Sequence, residues 1–592
     1  MCGIFSFILK RPLNKKDILL GREGKKMLKH RGPDSDGEWY NKKEGVYIGH
    51  TRLSIIDLSL KGNQPMINNK HVLAYNGEIY NFLEIKKELE LKGIKFCSNS
   101  DTEVLLKYWQ NLNTSCLNYL DGMFAFVIWN GKNIWISRDK FGEKQLFYAT
   151  TKDGVYISSE IYPLVKLLKK EKDLNNEKLA TYLALGYVPS PYTAYKNIFC
   201  VEPATAILLK KGVIEKKFNY SENINHKELV DINENYIDDI NNEIIKSVKS
   251  RLYSDAKKCL FLSSGIDSSL LASIISKELK NNIHTITVGF GKSKSLDETK
   301  EAKKIANYLK LPHQIIPCKL DDKKVDTNYL LTMYGQPNDN LTIIPTYQMA
   351  LIAKKLKYKV GITGMGGDEI SSGYRKQTFI KKYKNLYAMP EKLRLFISFI
   401  LKPLNNYNSK IEIFRNIFGV KNEFLYIALK NTNLISQLKE IPYMEEWAKK
   451  SFSSFTGNNL FKSVENFDFK NVMPNSRLIT FDHGGMRAGY EFRSPYLNSN
   501  LISLFSASKF KYNKYKTQKF IFRKILERYL PKKLIFGFKK GFVYPFEDFL
   551  QKNKKYSSDS ITNNLKEKKL NQNPSWTRFL VRKEIVNDFL KS

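Results

Sequence analysis

The tightest constraint on this chain is the run Lys258-Cys-Leu-Phe-Leu-Ser-Ser-Gly-Ile-Asp-Ser-Ser269, where a short apolar segment gives way to serine, glycine and aspartate before helical spacing begins. Strand, loop and helix in that order put the loop at a helix N-terminus, where unsatisfied N–H groups and the positive end of the dipole favour an anion. Ser263, Ser264, Ser268 and Ser269 add hydroxyl donors, and Gly265 admits a close backbone approach. Asp267 would repel a phosphate unless a divalent cation stood between them. A serine-rich turn capping an ordinary helix is the plainer alternative for this segment alone.

The pattern continues in the same vein. Strands over 258–262, 284–290, 313–317 and 358–363, with helices over 268–280 and 297–309, alternate as an α/β unit with a parallel sheet does. Ligands of such sheets bind beyond the carboxyl ends of the strands, where the loops 263–269, Val288-Gly289 and Thr363-Gly-Met-Gly-Gly-Asp-Glu369 should meet. Asp368 is placed to share magnesium with Asp267. Gly291-Lys292-Ser293 suggests a Walker loop, but the first glycine of that motif would fall at Ile286, which excludes it.

At 592 residues the chain is too long for one core, so at least two domains are expected. The N-terminal part carries a second set of chemical groups. Removal of Met1 would leave Cys2 with both a thiol and an α-amine, and an amine near pKa ~8 can act as base for its own side chain. A terminal cysteine opening a buried strand is the bland alternative. Arg52, in His50-Thr-Arg-Leu-Ser-Ile-Ile56, suits a carboxylate, and Asn76-Gly77 offers an amide and a backbone N–H side by side, as an oxyanion hole requires. Asp101 could take a substrate ammonium; singly, Asn76-Gly77 also reads as a hairpin turn and Asp101 as a helix cap.

Together with Arg31-Gly-Pro-Asp-Ser-Asp-Gly37, Asp121-Gly-Met-Phe-Ala-Phe-Val-Ile-Trp129, Arg138-Asp-Lys-Phe-Gly142 and Ser158-Ser-Glu160, these segments resemble the class II, N-terminal-nucleophile glutaminase domain of the glutamine-hydrolysing asparagine synthetases. The resemblance runs over about residues 2–550 and implies an αββα sandwich of two antiparallel sheets between helices, followed by an α/β parallel-sheet adenine-nucleotide-binding domain with a helical C-terminal part. It makes Cys2 the nucleophile and Asn76 with Gly77 the oxyanion donors, with glutamine held by Arg52, Leu53, Ser54, Ile55, Ile56, Glu78 and Asp101.

In the second half it implies ATP on the backbones of Leu262, Val288, Thr363 and Gly364, pyrophosphate on the 263–269 loop, and Lys539 of Phe538-Lys-Lys-Gly-Phe542 as the catalytic base that contacts the phosphates and the intermediate. Met486–Leu497, Lys519 and Arg523 resemble the helical region. A lysine- and asparagine-rich stretch from about 215 to 240 reads as a linker, placing the domains at 2–215 and 216–592, and the last forty residues carry no readable signal.

Two positions depart from the pattern. Ser264 stands where a second glycine is usual, which at a positive φ would cost about 1 kcal/mol. Met365 stands where the family carries an acid tied to the adenylated intermediate, and loss of a positioned acid–base group typically lowers a rate by ~10²- to 10⁴-fold. The expected reaction is ATP- and magnesium-dependent amidation of aspartate with ammonia from glutamine. The alternatives are the same chemistry on another acid, such as a uronic acid of a surface polysaccharide, or a synthetase-impaired glutaminase that binds a partner.

The net charge of +38, from 97 basic against 59 acidic residues, would suggest a polyanion partner, but the excess is lysine dispersed along the whole chain. It reads as a solvated surface, with no nucleic-acid or membrane partner and room for a homodimer. Six cysteines without C-x-x-C spacing argue against a zinc site or disulfide framework, and no signal or long apolar run appears, so a reducing cytoplasm is the expected location.

Overall fold

The computed structural model describes residues 2–221, 230–289, 297–317, 326–401, 418–430, 444–452, 455, 460–508, 518–535 and 574–591. Its first twelve strands are β1 (Cys2–Leu9), β2 (Ser35–Asn41), β3 (Val46–Arg52), β4 (Met66–Asn68), β5 (His71–Ile79), β6 (Gly122–Trp129), β7 (Ile134–Arg138), β8 (Phe147–Thr150), β9 (Gly154–Ser158), β10 (Ile198–Cys200), β11 (Thr205–Lys210) and β12 (Val213–Asn219). They form two antiparallel sheets, ordered β10-β8-β9-β1-β3-β2 and β12-β11-β7-β6-β5-β4. Ile4, Ile8, Val46 and Ile48 of one sheet pack with Val72, Ala74, Val127 and Ile136 of the other. Each fully buried aliphatic side chain contributes about 1.5–3 kcal/mol.

The outer faces are covered as well. The helix Lys15–Met27 lies on β1 and β3, and Asp101–Leu112 lies on β5. Every residue of β1 and β3 is therefore buried, and neither strand shows the alternation of a half-exposed sheet. This is the expected αββα sandwich.

The third sheet is wholly parallel, with β13 (Lys258–Phe261), β14 (His284–Gly289), β15 (His313–Pro317), β16 (Val360–Ile362) and β17 (Glu491–Arg493) in the order β15-β14-β13-β16-β17. The chain leaves β13 toward one edge and resumes at β16 on its other side. The switch point thus lies between β13 and β16, and the loops at 262–265 and 363–366 open on it.

Three expectations need adjustment. β12 pairs with β11 as far as Asn219, so the break expected near 215 falls inside a strand, and the helix that follows begins at Glu234, capped by Asn233. The 486–497 segment, expected in the helical part, contains the short edge strand β17. The tail without readable signal forms the helix Pro574–Lys591, whose buried Arg582 bonds Asp339 at 2.6 Å and the carbonyls of Leu183 and Ala184. No described helix is long and apolar enough to cross a membrane.

Candidate active site

β1 begins at Cys2, opposite Arg52 of β3, and β5 runs past its end carrying Tyr75, Asn76, Gly77 and Glu78. The Cys2 backbone N–H donates to Asn76 Oδ1 at 2.7 Å. That bond orients the Asn76 amide, whose Nδ2 is buried with no hydrogen-bond partner among the described residues. A buried donor without an acceptor beside a thiol is what an oxyanion hole provides. At Gly77 a Cβ would stand 2.1 Å from the Met123 carbonyl oxygen of β6, so only glycine fits.

One pocket is lined by Cys2, Arg52, Leu53, Ile55, Ile56, Gly77, Glu78 and Asp101, together with Gly62, Gln64, Tyr75, Ser100 and Thr102. Ser54 is not among the lining residues. Its N–H donates to Asp34 at 2.8 Å and its carbonyl accepts from Lys359, which ties it to the second half. Asp101 is not the helix cap; Ser100 is, and Asp101 accepts from the Tyr75 hydroxyl at 2.8 Å and the Ile79 N–H at 3.1 Å. Arg52 donates to the carbonyls of Ile56, Asp57 and Ser59 and to Asn63, so its fork holds the 56–63 loop instead of standing open for a carboxylate.

Gln64 was not foreseeable, because nothing local marks it. It accepts from the Tyr75 N–H at 2.7 Å and donates to Thr102 Oγ1, bridging β5 to the helix that carries Asp101.

Burial pushes the Cys2 thiol up, although the Leu53 backbone and Arg52 act against it, so the resting sulfur keeps its proton and needs a base. Burial likewise raises Glu78 further than Arg493 lowers it, and raises Asp101. Glu491 ends below the usual glutamate range because Arg493 and neighbouring cations outweigh its burial.

Arg493 joins the two halves. Its Nη2 lies 3.1 Å from Glu78 Oε1, its Nε donates to Glu491 at 2.6 Å, and its backbone carbonyl accepts the Thr363 N–H at 3.0 Å. One residue of β17 therefore touches both the first pocket and the start of the 363–369 loop. Ion pairs between Arg31 and Asp482 at 2.9 Å and between Arg251 and Asp121 at 2.8 Å reinforce the contact.

Beyond β13 the serine loop is folded on itself. Ser263 and Ser268 hydroxyls lie 2.9 Å apart, the Gly265 N–H donates to Ser263 Oγ, and Ser269 Oγ donates to the Gly265 carbonyl. Ser264 is absent from the positive-φ residues, so the side chain there carries no backbone penalty; its N–H donates to Glu298 at 3.1 Å. Leu262 is held to β14 by its N–H to Ile286 and by its carbonyl, which accepts from Thr287. Val288 on the same strand is half-buried in a neighbouring apolar cluster.

The 363–369 loop presses against this segment. A Cβ on Gly364 would lie 2.9 Å from Asp267 Cβ, and one on Gly367 would lie 2.6 Å from Asp267 Cγ. Met365 is half-buried against the main apolar core.

Asp267 and Asp368 face each other across one side chain. Between them stands the Lys519 ammonium, 2.5 Å from Asp267 and 2.6 Å from Asp368, and no cluster of three or more metal-ligating side chains occurs among the described residues. Carboxylate oxygens are the hard donors magnesium takes, so Asp267 and Asp368 are the residues that would hold it. Lys539 and Gly291-Lys292-Ser293 lie outside the described residues.

The model for the glutamine amidotransferase domain matches residues 1–220, and that for asparagine synthase matches 239–592. The chain belongs to the glutamine-hydrolysing asparagine synthetase family. A Methanocaldococcus jannaschii homologue of the asparagine synthetase kind is 32% identical over 72% of this chain and 83% of its own length. Asparagine synthetase 1 of Bacillus subtilis is 28% identical over 93% of this chain and 88% of its own length. Amidase chry2 of Gibberella zeae is 26% identical over 63% and 59%. As a member of this asparagine synthetase family, the chain is a glutamine-dependent amidotransferase and an enzyme of the carbon–nitrogen ligase kind.

Proposed function

We propose that this amidotransferase converts aspartate to asparagine with ATP and magnesium, drawing its ammonia from glutamine in a unit that ends near residue 220. Loss of Met1 frees the Cys2 amine, which takes the thiol proton as sulfur attacks the glutamine amide carbon. Asn76 Nδ2 and the Gly77 N–H receive the developing oxyanion, ammonia leaves, and water releases glutamate from the thioester. Glu78 and Asp101 hold the substrate ammonium.

In the second half an acceptor carboxylate oxygen bonds to the α-phosphorus of ATP as the bond to the bridging oxygen breaks and pyrophosphate leaves. Ammonia then bonds to the acyl carbon, AMP departs, and the extra proton passes to solvent. Leu262, Val288, Thr363 and Gly364 offer backbone groups to the nucleotide, while the 263–269 loop takes pyrophosphate. Magnesium between Asp267 and Asp368 would offset phosphate charge.

The observation that carries this reading is Arg493, which ties the Cys2 pocket to the loop at the switch point. Met365 favours a second reading, the same chemistry on a different carboxylate, because its side chain packs into apolar surroundings where an acid would serve the adenylate. Amide-labelled glutamine with magnesium ATP and a panel of carboxylic acids tests both. Label in asparagine with one AMP per amide supports the first, label in another amide supports the second, and no AMP with any acid defeats both.

A further inference from the structure

The unusual element beside the adenylation loop is the helix Asp468–Leu478, an eleven-residue π-helix with Pro474 inside it. Such turns are uncommon and cluster at functional sites, because widening the helix re-aims the side chains it carries. It packs against the short helix Gly367–Ile370, which holds Asp368 and Glu369. Its Phe469 touches the glutaminase half through a ring contact with Phe141 at 5.8 Å.

Arg477 is the residue this helix leaves unexplained. Its guanidinium lies 5.9 Å from the centre of the Tyr374 ring, and the Tyr374 hydroxyl donates to Glu369. Arg477 makes no hydrogen bond or ion pair among the described residues, and its Nε is buried. Tyr374, Glu369, Asp368 and Asp468 lie close enough for their charge to hold its proton more tightly, but the three carboxylates are bonded to other groups. Asp468 pairs with Lys376 at 2.5 Å and accepts from Tyr426, Asp368 pairs with Lys519, and Glu369 accepts from Tyr374. A shielded guanidinium whose fork meets no acceptor among the described residues is suited to an external carboxylate, which it binds in a planar, bidentate way.

We propose that Arg477 binds the carboxylate of the acceptor that is not activated, so that the enzyme selects acids carrying two carboxylates. The inference rests on the amidotransferase reading above and narrows its acceptor. Aspartate has the second carboxylate and a uronic acid does not. Arg477 then determines specificity by contact with substrate, while the activated carboxylate stays at the 363–369 loop.

The test compares wild type with Arg477→Met and Arg477→Lys in the full chain, using aspartate and β-alanine, which is aspartate without its α-carboxylate. Arg477→Met should lower kcat/KM for aspartate about 10²-fold and leave the β-alanine value within a factor of about three, abolishing the preference. Arg477→Lys, which keeps the charge but not the fork, should fall between. Glutamine hydrolysis and the KM for ATP should stay at wild-type values. Equal losses with both acceptors, a loss confined to ATP, or no change overturns the proposal.

A binding measurement separates this failure from that of the wider reading. Aspartate should raise the unfolding temperature of wild type in the presence of a non-hydrolysable ATP analogue, and should not do so in Arg477→Met. If no acid releases AMP, the amidotransferase reading fails, but loss of aspartate stabilisation in the variant still supports Arg477. If aspartate, glutamate and succinate stabilise neither protein, the proposal is wrong.

Discussion

The two halves hold their reactive groups in contrasting ways. Around Cys2 the groups sit on paired strands, β1, β3 and β5, and are fixed by bonds that leave the donor Asn76 Nδ2 without a partner among the described residues. At the switch point the candidate ligands lie on loops and in the first turns of the helices Ile266–Lys277 and Gly367–Ile370, and satisfy one another: Ser263 faces Ser268, Ser264 donates to Glu298, and Lys519 spans Asp267 and Asp368. The first site is organised before substrate arrives. In the proposed reaction the second would exchange internal contacts for those of a nucleotide and magnesium, which makes its occupancy easier to couple to a conformational change.

The most severe challenge to that contrast is Cys2→Ala. Glutamine-supported amide transfer should fall by about 10³-fold or more while transfer from added ammonia persists, since the nucleophile serves only the first site. Loss of the ammonia reaction too would show that the halves are not separable. Asn76→Ala should lower kcat for glutamine hydrolysis by about 10²- to 10³-fold with little change in KM, because an oxyanion donor acts in the transition state. A change confined to KM would mean the amide only positions Cys2.

In the second site, Lys519→Met leaves two carboxylates facing each other without a cation, and ATP-dependent AMP release should drop about 10²-fold. Raising magnesium should recover part of it, and glutaminase activity should not move. If magnesium gives no recovery, the two carboxylates do not take the metal in place of the ammonium. Arg493→Lys keeps a charge near Glu78 but loses the fork, so the KM for glutamine should rise about tenfold in steady-state assays, with added ammonia still used normally.

The smallest effect concerns pH. Burial raises Glu160 and Asp482, but His30 and Arg31 for the first and Arg31 and Lys144 for the second outweigh it, so both are held below their ordinary values of 4.5 and 3.8. Groups depressed in this way add stability that is present above those ordinary values and lost as pH falls below them, through the lower values of the folded state. Glu78 and Asp101 are raised and work in the opposite direction. Thermal unfolding should therefore move down as pH falls below about 4.5 toward pH 3, by about 2–4 °C per kcal/mol lost, and by less in Glu160→Gln. An equal fall in the variant would remove the Arg31 cluster as the acid-sensitive contact.

Much of this organisation was legible in the chain. Residues 258–269 and 363–369 are local strand-and-loop patterns, and the groups of Cys2, Asn76, Glu78 and Asp101 occur in short motifs, so pattern and resemblance reach them without long-range information. Gln64, Glu298 and Lys519 were not assigned to their sites, because each acts through a partner between eleven and 252 residues away. β17 is three residues long, too short for a period, and is recognisable only by its pairing with β16. Arg52, whose type and position suggested a carboxylate clamp, lines the Cys2 pocket while the 56–63 loop supplies acceptors for its guanidinium.

By itself the sequence determined the two-part architecture, the thiol with its amide partner, and the serine loop at the head of a helix. These depend on local spacing, capping chemistry and residue type. Only the tertiary structure decided that Ser264 is unstrained, that an ammonium stands between Asp267 and Asp368, that Arg493 reaches both sites, and that Arg477 makes no hydrogen bond or ion pair among the described residues. Each is a statement about which buried charges meet, and that follows from how the sheets and helices pack.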